Sequence, residues 1–313
     1  MGKAVRLSDN SRKVFKHIWR NRWIYLFLLP GVLHMIIFDY WPMYGVTLAF
    51  KEYKYTSGIL GSPWAHPWYK YFVLMANDKM FWKAFMNTFR MGFWYIVIGF
   101  PAPIILSILL NEVGNRRYKK VLQTVYTIPN FFSWVVVGGI MMSFLSSEGF
   151  LNIVLRAIGS KGYDFLSNKN LIRPLLYATE VWKSAGWSAI IYLAAISGID
   201  PELYEAAEID GANRFQRIWH ITWPCIKSTA VVLLVLAFGN ILNSGFDQIL
   251  NMVNPVVQNE AEILDTYIYR ITFKSAPNYG LSTAMGLLKS VINLVFLLAA
   301  NKIAKLFGED GVI

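Results

Sequence analysis

Two sets of polar side chains stand inside stretches otherwise too apolar for them. Glu180 and Lys183 lie three residues apart within the run from Leu171 to Ile199, so a helix would place them on one face. An ionisable side chain at the middle of a bilayer costs about 2.5–3.5 kcal/mol on insertion scales. The two either neutralise each other as an internal ion pair or line a path for a polar solute, and the sequence leaves both open. Farther on, "FGNILNSGFDQIL" carries Asn240, Asn243, Phe246 and Asp247. In helical projection these form one polar stripe with an aromatic ring beside it. Amides and a carboxylate exchange hydrogen bonds with sugar hydroxyls, while a ring takes the apolar face of the sugar; the same asparagines could equally bond helix to helix. Trp182, Trp187 and Tyr192 are further aromatic candidates.

Covalent chemistry has little to build on. There is no GxxxxGK[ST] phosphate loop, no HExxH, no paired-cysteine motif and no GxSxG turn. His17, His34, His66 and His220 fall on separate segments, so neither a metal site nor histidine catalysis is expected. Cys225 is the single cysteine, which rules out an intrachain disulfide and reads as packing beside Pro224. The chain is expected to be no enzyme and to carry no metal or cofactor of its own.

The elements that hold these side chains are hydrophobic. Of 313 residues 55% are apolar and only 16% charged, with a mean hydropathy of +0.39; soluble domains run nearer 25% charged. Six windows approach or exceed the ~20 residues a bilayer span needs: Trp23 to Tyr40, Thr88 to Leu110, Val121 to Leu145, Leu171 to Ile199, Ser228 to Phe246 and Leu281 to Ile303. Together with their loops they use the whole chain. Expected boundaries are a basic tail over 1–22, a six-helix domain over 23–306 containing a loop at 200–224, and a short tail over 307–313. Within the first tail Lys3, Arg6, Arg12, Lys13, Lys16, Arg20 and Arg22 face a single acid, Asp9, which holds it in the cytoplasm. The inner segments then hold 16 Lys/Arg in 76 residues and the outer ones 11 in 99, so both termini are expected to be cytoplasmic. The net charge of +11 is a topology signal, because no soluble domain exists to present it to nucleic acid. No small-x-small site follows the first apolar run, so it is expected to stay as a helix.

Prolines interrupt the windows at Pro30, Pro101, Pro103 and Pro129, where kinks are expected. Broken spans are tolerated where neighbours or a water-filled path satisfy the freed carbonyls, which points toward transport. The expected outer loop from Lys51 to Asn87 is rich in Tyr, Trp, Gly and Pro, suiting an interfacial belt or a surface for an external partner.

The expected inner loop is the most specific stretch: "YEAAEIDGANRFQRIWHITWP", Tyr204 to Pro224. Asp200 caps a helix with Pro201 at its first position; Glu202, Glu205 and Glu208 complement its dipole; Gly211 ends it in a left-handed turn. Asn213 caps a second short helix that Pro224 is expected to stop. Leu203, Ala206 and Ala207 share a face whose small side chains suit a groove on another protein; glutamates disfavour the other reading, an amphipathic helix on anionic lipid.

This stretch resembles the EAA loop of the permease subunits of binding-protein-dependent ATP-binding-cassette importers. Glu205, Ala206, Ala207, Asp210, Gly211, Ala212, Ile218 and Pro224 match its pattern in order. Asn87-Thr88, Gly149 to Asn152, "LDTYIYR" from Leu264 and "YGLSTAMG" from Tyr279 are similar to the sugar branch, particularly its polysaccharide and oligosaccharide permeases. The resemblance implies an all-α membrane protein of six transmembrane helices with the type I, MetI-like importer architecture, in a bacterial cell membrane. It implies a second permease, in a heterodimer, two ATPase subunits that hold ATP and Mg and dock on the loop through Leu203 and the motif residues, and an extracytoplasmic solute-binding protein delivering a carbohydrate. Importers of amino acids or phosphate are the runner-up. A secondary carrier would show a coupling-ion site and inverted repeats, and a membrane enzyme a clustered nucleophile and base.

Overall fold

Several helices in this chain begin where a short polar side chain can take up their free amides. In the computed structural model, which describes residues 14, 16–17, 19–243, 245–274, 277–308 and 311, the Asp78 carboxylate accepts from Met80 N at 2.8 Å, the Asn115 side chain from Arg117 N and Tyr118 N, and Ser133 Oγ from Val136 N. Most of the expected basic tail, including Lys3, Arg6, Asp9, Arg12 and Lys13, lies outside the described residues. No strand occurs among the described residues, only an isolated antiparallel bridge between Lys51 and Trp64.

The chain divides into two compact units, one ending at Tyr71 and including Tyr279–Ala284, the other Phe72–Asn278 with Met285–Ile313. In the first, helix α1 (Arg22–His34) continues through a wide turn at Met35–Tyr40 and a tight one at Trp41–Phe50. The most apolar window of this stretch is entirely unburied. After it, Lys51 Nζ donates to the carbonyls of Ile59 and Leu60, and Tyr53, Tyr55 and Tyr279 meet edge to face.

The second unit holds α2 (Lys70–Asn77) from Phe72 onward, α3 (Lys79–Gly99), α4 (Pro101–Asn111), α5 (Arg116–Thr127), α6 (Trp134–Leu145), α7 (Phe150–Ala157), α8 (Ile172–Ser197), α9 (Pro201–Ile209), α10 (Arg214–Arg217), α11 (Trp223–Gly239), α12 (Phe246–Met252), α13 (Leu264–Tyr269) and most of α14 (Tyr279–Leu306). Among the described residues five helical stretches are long and apolar enough to cross a membrane: Arg22–Phe50, Lys79–Asn111, Trp134–Ala157, Arg214–Gly239 and Tyr279–Leu306. The remaining window folds as α8, whose 26 residues reach about 39 Å at 1.5 Å per residue, more than the ~30 Å hydrocarbon core. Its charged residues are Arg173, Glu180 and Lys183.

Two windows are corrected. Val121 to Leu145 is not one helix: α5 ends at Thr127, a tight turn covers Ile128–Phe131, and α6 restarts at Trp134 under the Ser133 cap. Pro129 withholds an amide there. Ser228 to Phe246 is displaced, because the helix runs from Arg214 to Gly239 straight through Pro224. The backbone over Ile218–Thr222 widens into a π turn, with Trp223 N bonding Ile218 O. That extra width makes room for a ring that would otherwise clash with the carbonyl four residues back. Pro224 therefore bends the register and does not stop the helix.

Buried Met91, Ile172, Leu176, Ile249, Met252, Val257 and Ile263 form one core between α3, α8 and the chain after α11; Ile104, Tyr192, Ile196 and Ile226 form another between α4, α8 and α11. Midway along α3 two stretches that marked the sugar-type resemblance meet. Thr88 Oγ1, fully buried, donates to Ala84 O and accepts from Leu264 N at 2.7 Å, and Asn87 Nδ2 donates to Glu262 O. Thr88→Val would leave the Leu264 amide buried and unsatisfied, at about 1–3 kcal/mol; thermal unfolding of the purified protein in detergent should fall accordingly. Nearby, burial and then the hydrogen bond it gives Asp78 push the Tyr267 hydroxyl well above the usual tyrosine range.

Candidate functional site

α3, α8 and α11 enclose a cleft of about 480 Å³, lined by Tyr95, Glu180, Ser184, Ser188, Tyr192, Asn240 and Asn243 among apolar neighbours. One rim is made where α11 stops. Asn240 closes the helix, its Nδ2 donating to Leu236 O at 3.0 Å. Asn243 Nδ2 donates to Asn240 Oδ1 at 3.0 Å, Asn293 Nδ2 to Asn243 Oδ1 at 3.2 Å, and Leu242 N to Asn293 Oδ1. This amide chain is a loop, not the helical stripe expected from spacing, because the helix ends at Gly239 and a new one starts at Phe246. The loop sits hard against α3: a Cβ on Gly92 would lie 2.0 Å from Ile241 O, so only glycine lets the backbones come this close.

Behind the cleft Tyr95 OH donates to Gln248 Oε1 at 2.5 Å, and Gln248 Nε2 donates to Leu176 O and Thr179 Oγ1, a satisfied buried network that fixes the wall. Glu180 faces the cleft, but Lys183 does not join it. Lys183 Nζ donates to Asn130 O at 2.9 Å and lies 5.5 Å from the centre of the Trp134 ring, and no ion pair between Glu180 and Lys183 exists among the described residues. Of the two readings the sequence left open, the neutralising pair is not what the structure has: the lysine is drawn to the carbonyl freed by the break at Pro129, toward the C-terminal, negative end of α5.

The loop after α8 is built as its local signals require. Asp200 accepts from Glu202 N at 3.0 Å. Gly211 is left-handed, φ +80°, and the carbonyls at the end of α9 are closed by Ala212 N to Ala207 O and Gly211 N to Glu208 O, a Schellman arrangement. Asn213 and Gln216 exchange side-chain and backbone hydrogen bonds in a capping box. Arg217 pairs with Glu208 at 3.1 Å, and Tyr204 OH contacts Thr222 Oγ1 at 2.9 Å, so the two helices are tied across the turn. Leu203, Glu205, Ala206, Asp210 and Gly211 are exposed, while Ala207, Ala212 and Ile218 are half-buried.

Comparison with known proteins adds the context for this geometry. Residues 72–307 match the family model described as binding-protein-dependent transport system inner membrane component. The chain belongs to this family. It is 39% identical over 305 residues to the polygalacturonan/rhamnogalacturonan transport system permease protein YteP of Bacillus subtilis, covering 97% of this chain and 94% of that protein. It is 40% identical over 294 residues to the protein LplB of the same organism, covering 94% and 92%. A chain of a bacterial alginate ABC transporter, solved in complex with an alginate pentasaccharide-bound periplasmic protein, superimposes with a TM-score of 0.86 at 38% identity, over 96% of this chain and 100% of that one. The permease is therefore a multi-pass bacterial membrane protein and the transport component of an importer, not its ATPase.

Of the side chains expected to line a path in this permease, the cleft brings together Glu180, Tyr192, Asn240 and Asn243. Trp182 is exposed outside it, and Trp187 rests edge-on against Phe131 at 5.7 Å. Phe246 meets Tyr269 at 5.8 Å, and Asp247 sits in the first turn of α12; neither lines the cleft. Sequence reasoning missed Tyr95, Ser184 and Ser188 there. The one available signal was Ser184 and Ser188 at four-residue spacing from Glu180. On the loop it missed Ile209, Phe215 and Trp219, exposed to 87%, 84% and 68%; large apolar side chains so exposed call for a partner surface.

Proposed function

We propose that this chain is one of two permeases, in a heterodimer, of an ATP-driven importer for an oligosaccharide or a related complex carbohydrate. The coupling loop around Gly211 docks into ATPase subunits that hold ATP and Mg, on the cytoplasmic side together with both termini, and a solute-binding protein delivers the sugar from outside. Supporting this is the chemistry of the cleft: amides, hydroxyls and tyrosines lining a space between long apolar helices suit a solute made of hydroxyls. Relatives whose names concern galacturonan and alginate point to the same class of cargo. The unburied α1 stretch offers surface for a second permease. Phosphate is a poorer fit, because among the described residues no lysine or arginine lines the cleft.

The chain's boundaries follow the same reading, with a basic tail over 1–22, the transport domain over 23–306 and a short tail after it. Alternating access carries the sugar past Asn240 and Asn243 as the ATPases close. In vesicles containing the whole complex, Asn243→Leu should lower substrate uptake at least about tenfold, the loss of one or two hydrogen bonds, with assembly and basal ATPase activity retained. Unchanged substrate-stimulated uptake would remove the cleft from the pathway.

A further inference from the structure

A further pocket, of about 270 Å³, opens between α12 and the stretch from Gln258 to Lys274. It belongs to the connection between α11 and α14, at the opposite end of α11 from the loop around Gly211. The charges on its wall do not cancel. Arg270 Nε and Nη2 donate to the two oxygens of Glu262 at 2.9 and 3.1 Å, and Gln258 Nε2 donates to Glu262 Oε1 at 3.0 Å, so the acid is engaged by its own neighbours. Lys274, one helical turn beyond Arg270, has no ion pair or hydrogen bond among the described residues; its Nζ lies 5.6 Å from the centre of the Tyr269 ring. A positive charge is thus left over beside an aromatic ring. That ring stands in a row, because Phe273, Tyr269 and Phe246 follow one another at 5.4 and 5.8 Å, and Phe246 comes shortly after Asn243 of the cleft rim.

We propose that this pocket is an entry subsite for a carboxylated sugar unit, a uronate, on its way to the cleft. The inference rests on the reading of the chain as a carbohydrate permease with the Gly211 loop in the cytoplasm, which puts the pocket on the side where solute arrives. A uronate presents three kinds of surface, and the wall has a counterpart for each. Its carboxylate takes a charge-assisted hydrogen bond from the Lys274 ammonium, and the apolar face of its ring rests on Tyr269. Its hydroxyls meet Gln258 Oε1 and the Tyr269 hydroxyl, neither of which is in a hydrogen bond among the described residues. A few polar groups placed in this way on otherwise apolar walls fix a ligand's orientation. Because the charge rides on a ring otherwise made of hydroxyls, the same unit suits a cation here and amides in the cleft.

Leu250 lines the pocket and is 40% exposed, so Leu250→Cys, in a Cys225→Ala background that removes the one native cysteine, reports occupancy. In the complete reconstituted complex, maleimide labelling of that thiol is followed with trigalacturonate, its trimethyl ester or inorganic phosphate added. Trigalacturonate should protect the thiol with an apparent Kd about tenfold or more below that of the ester or of phosphate, the worth of one charge-assisted hydrogen bond. Adding Lys274→Gln should raise the Kd for trigalacturonate about tenfold and leave that for the ester within about twofold. Equal protection by acid and ester, protection unmoved by Lys274→Gln, or protection by phosphate as good as by trigalacturonate would overturn the uronate subsite. So would a thiol that maleimide fails to reach in resting and ATP-cycling complex alike. ATPase stimulation through the solute-binding protein is read in parallel, with the same sugars and with a pool of neutral oligosaccharides. Stimulation without protection would overturn the subsite alone, whereas no stimulation by any of them would overturn the carbohydrate reading beneath it.

Discussion

Aspartate in place of Phe215 is expected to abolish ATP-driven uptake while leaving the permease folded. Phe215 and Trp219 are four residues apart on the helix that begins at Asn213, and Ile209 lies just ahead of the Gly211 turn; all three are largely exposed. Residues four apart share a helix face, so the two aromatics present one ridge. Its base is rigid, because the capping box, the Arg217–Glu208 pair and the Tyr204–Thr222 contact fix the turn from both sides. An aromatic anchor of this kind commonly contributes 2 kcal/mol or more at an interface, and aspartate would add an unpaired charge to the buried contact. Association of the ATPase should therefore weaken by about a hundredfold or more, read by co-purification and by uptake in vesicles. Because Phe215 touches little of its own chain, thermal unfolding should not change. The competing role, insertion of Phe215 and Trp219 into the bilayer interface, predicts undiminished ATPase association in the same variant.

That loop was also the most legible part of the sequence, and the reason is range. Asp200, Gly211 and Asn213 each act on backbone groups within five residues of themselves, so residue type and spacing suffice to place both helices and the turn between them. Even Gln216, which completes the capping box, was in view three residues from Asn213. Pro224 shows where local rules fail. A proline is a helix stop only if the helix before it keeps its pitch, and the π turn over Ile218–Thr222 removes that condition. The six apolar windows were visible for a similar reason, since span length and composition are summed over ~20 residues. Their ends were not, because Gly239 and Thr127 end helices whose apolar character continues beyond them.

The cleft was legible only in part, since its geometry depends on contacts between residues distant in sequence. Asn240 and Asn243 were recognised by type, but their arrangement is set by Asn293, fifty residues on, and by the approach of Ile241 to Gly92. Nothing near Asn243 in the sequence announces either partner. The aromatic candidates Trp182 and Trp187 were named by residue type, and neither lines the cleft.

Lys183→Met should destabilise the permease strongly, and Glu180→Gln should not. If the two were an ion pair, removing either charge would strand the other and the losses would be similar. The structure gives Lys183 partners of its own. Lys183 caps the broken third span: its ammonium satisfies Asn130 O at 2.9 Å and lies over the Trp134 ring. Methionine keeps the length and apolar stem but leaves that carbonyl unpaired next to α8. The lost hydrogen bond with its unsatisfied acceptor costs about 1–3 kcal/mol, and the cation–π contact adds roughly 0.5–2 kcal/mol. Unfolding followed by tryptophan fluorescence in detergent should shift down by roughly 5 °C or more, whereas Glu180→Gln should move it by less than about 2 °C. Lys183→Arg should recover part of the loss, because a guanidinium can still donate to Asn130 O and stack on Trp134. Equal destabilisation by Lys183→Met and Glu180→Gln, with a double variant no worse than either, would restore the ion pair.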